Sequence, residues 1–178
     1  MKLVRQFKIK IVLILLIIAI TGLATYLSNS PKTRYKIPKI NPDEAYQVAN
    51  VLDGDTFEIK IGKKNQTVRM LGVDTPETVD PRKPVQCYGK EASDETKSIL
   101  SHYAVTLKMD KTQSMTDKFG RLLAYVYRED GLFMNEFLLK NGLAREYTYS
   151  KPYMFQKEFK AFEMAAKEEK AGLWKKCE

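Results

Sequence analysis

Apolar and polar residues alternate strictly over residues 56–61, with Phe57, Ile59 and Ile61 on one side and Thr56, Glu58 and Lys60 on the other. That period of two predicts a half-buried strand. A second β-rich run over 66–73 carries Arg69, and residues 62–65, opened by Gly62, read as the hairpin turn between them. Residues 45–52 predict a strand before this hairpin, and 105–109 and 122–127 (LLAYVY) predict two more after it. Elsewhere the period changes to that of a helix. Residues 90–103 place Ala92, Thr96, Ile99, Leu100 and Tyr103 on one face, and 132–140 end at Asn141-Gly142, a natural helix stop. Residues 153–170 turn Phe155, Phe159, Phe162 and Ala166 inward. No internal repeat is present, and five short strands with three helices predict an α+β architecture, a small closed OB-like barrel carrying helices.

The two ends of the chain set bounds on this domain. Lys2, Arg5, Lys8 and Lys10 precede an almost wholly apolar run from 11 to 24, which extends to Leu27 if Thr25 and Tyr26 form its interfacial end. Residues 1–27 therefore read as a signal peptide or a membrane anchor, with Gly22-Leu23-Ala24 offering small residues for cleavage. Both outcomes leave the basic end inside and export the rest, so the location is extracytoplasmic, secreted or anchored by residues 11–27. Residues 28–44 are polar and hold Pro31, Pro38 and Pro42, the composition of a linker, which leaves 45–178 as one domain. Removing the leader lowers the net charge from +8 to +4, since it carries four of the thirty basic residues and none of the acids. That modest excess permits a polyanionic partner without requiring one.

The chemistry concentrates between residues 51 and 77. Asp53 and Asp55 flank Gly54 before the first strand of the hairpin, and Asp74, Thr75, Pro76 and Glu77 follow the second. Pairing of the two strands brings Asp55 near Asp74, where two carboxylates repel unless a cation lies between them, and hard oxygen ligands suit Ca²⁺ or Mg²⁺. Arg69 is too charged to bury without an anion. An acidic metal site, a further carboxylate and an arginine are the groups phosphodiester hydrolysis uses. A lone DGD triplet is more often a solvated turn, and a lone arginine more often a surface ion pair. A second block, TDKFGR over 116–121, shifts the balance, because Arg121 opens another strand and two arginines can grip one phosphate from two directions.

These blocks also carry a family resemblance. DGDT at 53–56, R-x-L-x-V-D-T-P-E at 69–77, YGKEAS at 88–93, TDKFGRLLAYVY at 116–127, NEFLLKNGLA at 135–144 and GLW at 172–174 stand in an order that resembles the staphylococcal nuclease, or thermonuclease, family. The resemblance implies that Asp55, Asp74 and the Thr75 carbonyl hold Ca²⁺, with Asp53 in the outer shell. It implies Glu77 as general base, Arg69 and Arg121 as phosphate clamps, and Lys83, Lys118, Tyr147 and Tyr149 as neighbours of the nucleotide. It implies cleavage of DNA and RNA with little base preference, leaving a 3′-phosphate. The family pattern often has tyrosine where this chain has Phe119, so stacking is kept there and a hydroxyl contact is lost.

The remaining conspicuous residues have plainer readings. His102, the only histidine, lies away from every block, and the run 167–170 reads as a solvated helix end. Cys87 and Cys177 are spaced unlike a metal motif, and export predicts that they pair, with two free thiols as the alternative. Nothing suggests a protein partner, and a monomer is expected. Two other readings compete with an exported Ca²⁺-dependent nuclease. One is an OB module that binds nucleic acid without cutting it, which needs the basic and aromatic residues but not Asp55, Asp74, Glu77 and two arginines together. The other is an anchored interaction domain with a structural calcium, which leaves Arg69 and Arg121 unexplained.

Overall fold

The computed structural model describes residues 15–22, 25, 37–79 and 84–177. Residues 15–22 are helical, and among the described residues no helix is long and apolar enough to cross a membrane. The basic start of the leader, Leu23, Ala24, most of the linker and Lys83 lie outside the described residues. The folded unit begins at Ile37, and within it Ile40 packs on the core while the Asn41 N–H donates to the Tyr46 hydroxyl at 2.9 Å.

Five strands close a barrel: β1 (Tyr46–Asp53), β2 (Thr56–Ile61), β3 (Lys64–Met70), β5 (Ala104–Lys108) and β6 (Leu122–Arg128), in the order β1-β2-β3-β6-β5. β3 and β6 run parallel and the other neighbours antiparallel. The alternation read along the chain is the alternation of the barrel wall: Phe57, Ile59, Val68, Met70, Leu122 and Ala124 are buried inside. Each of these side chains except that of Ala124 contributes about 1.5–3 kcal/mol by leaving water. The outer wall is covered in part by helix α3 (Gln156–Glu168), where Phe155 and Phe159 pack edge-on to the Tyr125 ring. Helix α1 (Gly89–Leu100) lies against β1 with Ala92, Thr96 and Leu100 buried, and α2 (Met134–Lys140) packs on α3.

Several boundaries differ from expectation, two of them for a clear local reason. The run 66–73 is not one strand: it breaks at Leu71-Gly72, and β4 (Val73–Asp74) pairs instead with β7 (Arg145–Glu146). Gly72 sits at φ 79°, and a Cβ there would lie 2.7 Å from the Tyr153 ring, so only glycine makes this turn. The first helix ends at Leu100, short of Tyr103, because Ser101 is extended and His102 takes φ 73° as the chain reverses into β5. The second and third helices are likewise shorter than 132–140 and 153–170, and a fourth short helix, α4 (Leu173–Lys176), adds to the three expected.

Two devices hold the fold together away from the barrel interior. Cys87 and Cys177 form a disulfide with a Cα–Cα distance of 5.8 Å. Asp110, buried, accepts from the Tyr125 hydroxyl at 2.6 Å, the Met154 N–H at 2.7 Å, and both the N–H and hydroxyl of Thr112 at 2.8 Å, tying β5, β6 and the approach to α3 into one knot. Burial alone would raise its pKa, but these donors together hold it below the ordinary carboxylate range.

A carboxyl whose folded pKa is depressed stabilises above its unfolded value, near 3.9, and that stabilisation is lost as pH falls through the lower folded value. Asp110→Asn should therefore cost about 3 kcal/mol at pH 7, and the gap from the parent should narrow below about pH 4. Urea unfolding at pH 7 and pH 3 reads both; a gap that stays constant would show that the charge is not what matters. Reducing the disulfide should lower stability by about 4 kcal/mol in the chain-entropy account of so long a loop. Denaturant midpoints with and without reductant measure it.

Candidate active site

Asp53 pairs with Thr56 across a two-residue turn, so Gly54 and Asp55 form the tip of the β1–β2 hairpin. Gly54 is required by close approach: a Cβ on it would meet the Thr75 side chain at 2.8 Å. Its carbonyl accepts from the Thr96 hydroxyl at 2.7 Å, which fixes the tip against α1. Asp55 is buried, and its carboxylate accepts from the Thr56 hydroxyl at 2.8 Å and the Thr75 N–H at 2.8 Å. The second bond stitches the segment after β4 to the hairpin tip.

Arg69 stands opposite Thr56 on β3, one residue before the strand breaks. Its side chain is 12% exposed, and its guanidinium lies 2.7 Å from Asp55 Oδ2 and 2.7 Å from Asp74 Oδ1. It also donates to the Val73 carbonyl at 2.8 Å. The turn at Gly72 makes this possible, because it folds Asp74 back towards the strand that carries Arg69. Arg69 thus holds the two candidate metal ligands together as an internal ion pair, and in this structure it meets carboxylates where the family resemblance implies a phosphate.

Asp53, expected in an outer shell, holds the next loop. Its carboxylate accepts from the Thr78 hydroxyl at 2.7 Å and the Gly54 N–H at 2.9 Å. Burial raises its pKa most, Thr78 and Gly54 offset part of that, and the charges of Asp55 and Glu77 raise it further. Asp74 is also raised, chiefly by burial, with Arg69 opposing and Asp55 and Glu77 adding. Four acids therefore share one field that a single guanidinium does not neutralise. Glu77 accepts from the Val79 N–H at 2.8 Å and has its own N–H bonded to Gln86 Oε1 at 3.0 Å.

Arg121 precedes β6, which lies beside β3 with Arg69 opposite Leu123. Leu122 and Ala124 face the core, so Arg121 and Leu123 share the outer face with Arg69. Arg69 on β3 and Arg121 just before the neighbouring β6 are thus on one side of the wall. Arg121 Nε donates to Asp117 at 2.6 Å, and its guanidinium stands 5.4 Å from the Phe119 ring, with Lys118 Nζ 5.0 Å from the same ring. Phe119 is 71% exposed and Tyr149 75%, too open for packing aromatics, and Tyr147 is exposed with its ring 6.3 Å from that of Tyr149. The structure brings Asp55, Asp74, Thr75 and Arg69 together, with Asp53 and Glu77 coupled to them by charge. Lys118, Phe119 and Arg121 form a second group on their own turn.

The donor set suits a hard divalent cation. Only oxygens converge, their charge exceeds that of Arg69, and the buried Thr75 hydroxyl finds no hydrogen-bond partner among the described residues. Among the described residues no three His, Cys, Asp or Glu side chains could hold an ion by themselves, so carbonyl and water oxygens would complete a shell around Asp55 and Asp74. Two supports escaped the sequence reading. Asn135, fully buried, accepts from the Val126 N–H at 2.9 Å and donates to the Leu71 carbonyl at 2.8 Å, which fixes the turn before Asp74. Gln86 brackets Glu77. A polar side chain at the start of a helix was the only signal for the first, and the second had none.

Comparison with known proteins finds relatives over most of the chain. The thermonuclease of Staphylococcus hyicus is 45% identical over 132 residues, 74% of this chain and 76% of its own. The thermonuclease of Staphylococcus intermedius is 41% identical over 133 residues, 75% and 77% of the two chains. Endonuclease YncB of Bacillus subtilis (strain 168) is 40% identical over 146 residues, 82% of this chain and 65% of its own. The family model described as staphylococcal nuclease homologue matches residues 67–176, which run from the strand that carries Arg69 through the last helix, and the chain belongs to that family.

Proposed function

We propose that this nuclease hydrolyses phosphodiester bonds of both DNA and RNA outside the cytoplasm, with Ca²⁺ as cofactor, little base preference and 3′-phosphate products. The observation that carries the reading is the convergence of Asp55 and Asp74 on Arg69, each at 2.7 Å, beside Glu77. Asp55, Asp74 and the Thr75 carbonyl would hold the ion, whose contribution is Lewis-acid polarisation of the phosphate. Glu77 takes a proton from the attacking water as its oxygen bonds to phosphorus. The bond to the 5′ oxygen breaks, and that oxygen leaves with a proton from solvent. Arg69 on β3 and Arg121 just before the neighbouring β6 offset charge that grows on the phosphoryl oxygens. Lys118, Phe119, Tyr147 and Tyr149, with Lys83, supply cationic and stacking contacts that any base can use, which supports weak base preference. The disulfide supports an oxidising compartment, and the leader supports export, cleaved or retained as an anchor. The enzyme acts as a monomer.

Incubating plasmid DNA and RNA with the protein in Ca²⁺ or in chelator is the direct test, with end-group analysis of the products. Cleavage only with calcium, leaving 3′-phosphate ends, is expected, and equal cleavage in chelator would remove calcium from the reading. Asp55→Ala should lose calcium affinity by titration calorimetry and most turnover while remaining folded; unchanged calcium binding would displace the assigned ligands.

Arg121→Ala should lower kcat by about 10²–10³ with a smaller change in KM, because the growing charge is felt most in the transition state. Glu77→Gln should lower kcat while calcium-dependent nucleotide binding persists. Parent rates in both variants would sink the assigned roles.

A further inference from the structure

The residue that places Glu77 has no role in the chemistry described so far. Glu77 and Gln86 are bonded to each other in both directions: the Glu77 N–H donates to Gln86 Oε1 at 3.0 Å, and the Gln86 N–H donates to the Glu77 carbonyl at 3.0 Å. Gln86 is itself held. Its carbonyl accepts from the Gly89 N–H at 3.0 Å at the start of α1, and its neighbour Cys87 is bonded to Cys177. The start of α1 also presses on the Glu77 segment, since a Cβ at Gly89 would lie 2.9 Å from the Pro76 carbonyl and 3.3 Å from that of Glu77. The hydroxyl of Thr78, bonded to Asp53, pins the other side.

We propose that Gln86 is a positioning residue for hydrolysis, fixing the backbone of Glu77 relative to the Asp55–Asp74 pair. The inference rests on the reading of Glu77 as the general base. The chemical reason is geometric. A carboxylate must meet the attacking water within hydrogen-bond reach, and a small displacement of its Cα moves the carboxylate out of that reach. Of the anchors around this segment, the Gln86 side chain is the one that holds the Glu77 N–H directly. The disulfide at the next residue keeps Gln86 from moving with the segment it restrains.

The test is a double-mutant cycle on the full chain with calcium and DNA, using Gln86→Met, which keeps the side-chain length and removes the acceptor, Glu77→Gln, and the pair together. Gln86→Met should lower kcat by about fivefold, the size of one ordinary hydrogen bond, with KM, calcium affinity and melting temperature unchanged. In the Glu77→Gln background the same substitution should cost nothing further. Gln86→Ala should behave alike and guards against misfolding of the first variant. An equal loss in both backgrounds, or no loss in the parent, overturns the positioning role while Glu77 keeps its own. A parent rate for Glu77→Gln alone overturns the reading of the base and this inference with it.

Discussion

Arg69 is the charge on which the acidic end of this barrel depends. Bringing Asp55 and Asp74 to one place sets two partly desolvated carboxylates against each other, with Asp53 and Glu77 adding to the same field. The guanidinium bridges the pair at 2.7 Å on each side and spends a further donor on the Val73 carbonyl. This one side chain therefore does two structural jobs, compensating charge and satisfying the backbone where β3 gives way to β4. A lysine could not do both, since its single ammonium lacks the planar fork that reaches two carboxylates and a carbonyl.

The geometry around that bridge is made by backbone, which is stiffer than side chains. Gly54 lets the hairpin tip lie against Thr75, and Gly72 lets the chain turn under Tyr153 so that Asp74 returns to Arg69. Thr96 and Asn135 then fix those two glycine positions from α1 and α2, each through a hydrogen bond to a main-chain carbonyl. Helices laid on a barrel thus act on the site by holding its turns, although none supplies an acidic ligand.

Much of this was legible because strand alternation and helical spacing report burial directly. The barrel strands and the inward faces of α1 and α3 follow from patterns that local physics enforces, whereas the cysteine pair was legible only through the expected export and the acidic cluster only through several blocks read together. What escaped depends on tertiary context. The break at Gly72 looks in sequence like one more position of a β-rich run, and only the Tyr153 ring above it shows why the strand must stop. Asp110 and Asn135 read as ordinary polar residues, because partners they depend on lie far along the chain: the donors Tyr125 and Met154 are 15 and 44 positions from Asp110, and the Leu71 carbonyl that accepts from Asn135 is 64 positions away. The sequence, by its family resemblance, marks Asp53 as an acid in the outer shell of an ion, and its bond from Thr78, which no local pattern announces, also ties it to the loop.

The distribution of stabilising devices follows from the chemistry of the site. Carboxylates crowded beyond their counter-charge raise the energy of the folded state, and Asp53 and Asp74 record it in pKa values lifted by burial and by each other's neighbours. More cations at the tip would relieve that crowding, but among the described residues Arg69 is the cation that meets Asp55 and Asp74. The compensation therefore has to lie elsewhere. The Asp110 knot, the aromatic layer of Tyr125, Phe155 and Phe159, and the Cys87–Cys177 bridge all stabilise the chain without putting a cation among those acids. Strength therefore sits in the walls and at the disulfide, while the hairpin tip keeps a charge imbalance that, among the described residues, Arg69 alone offsets.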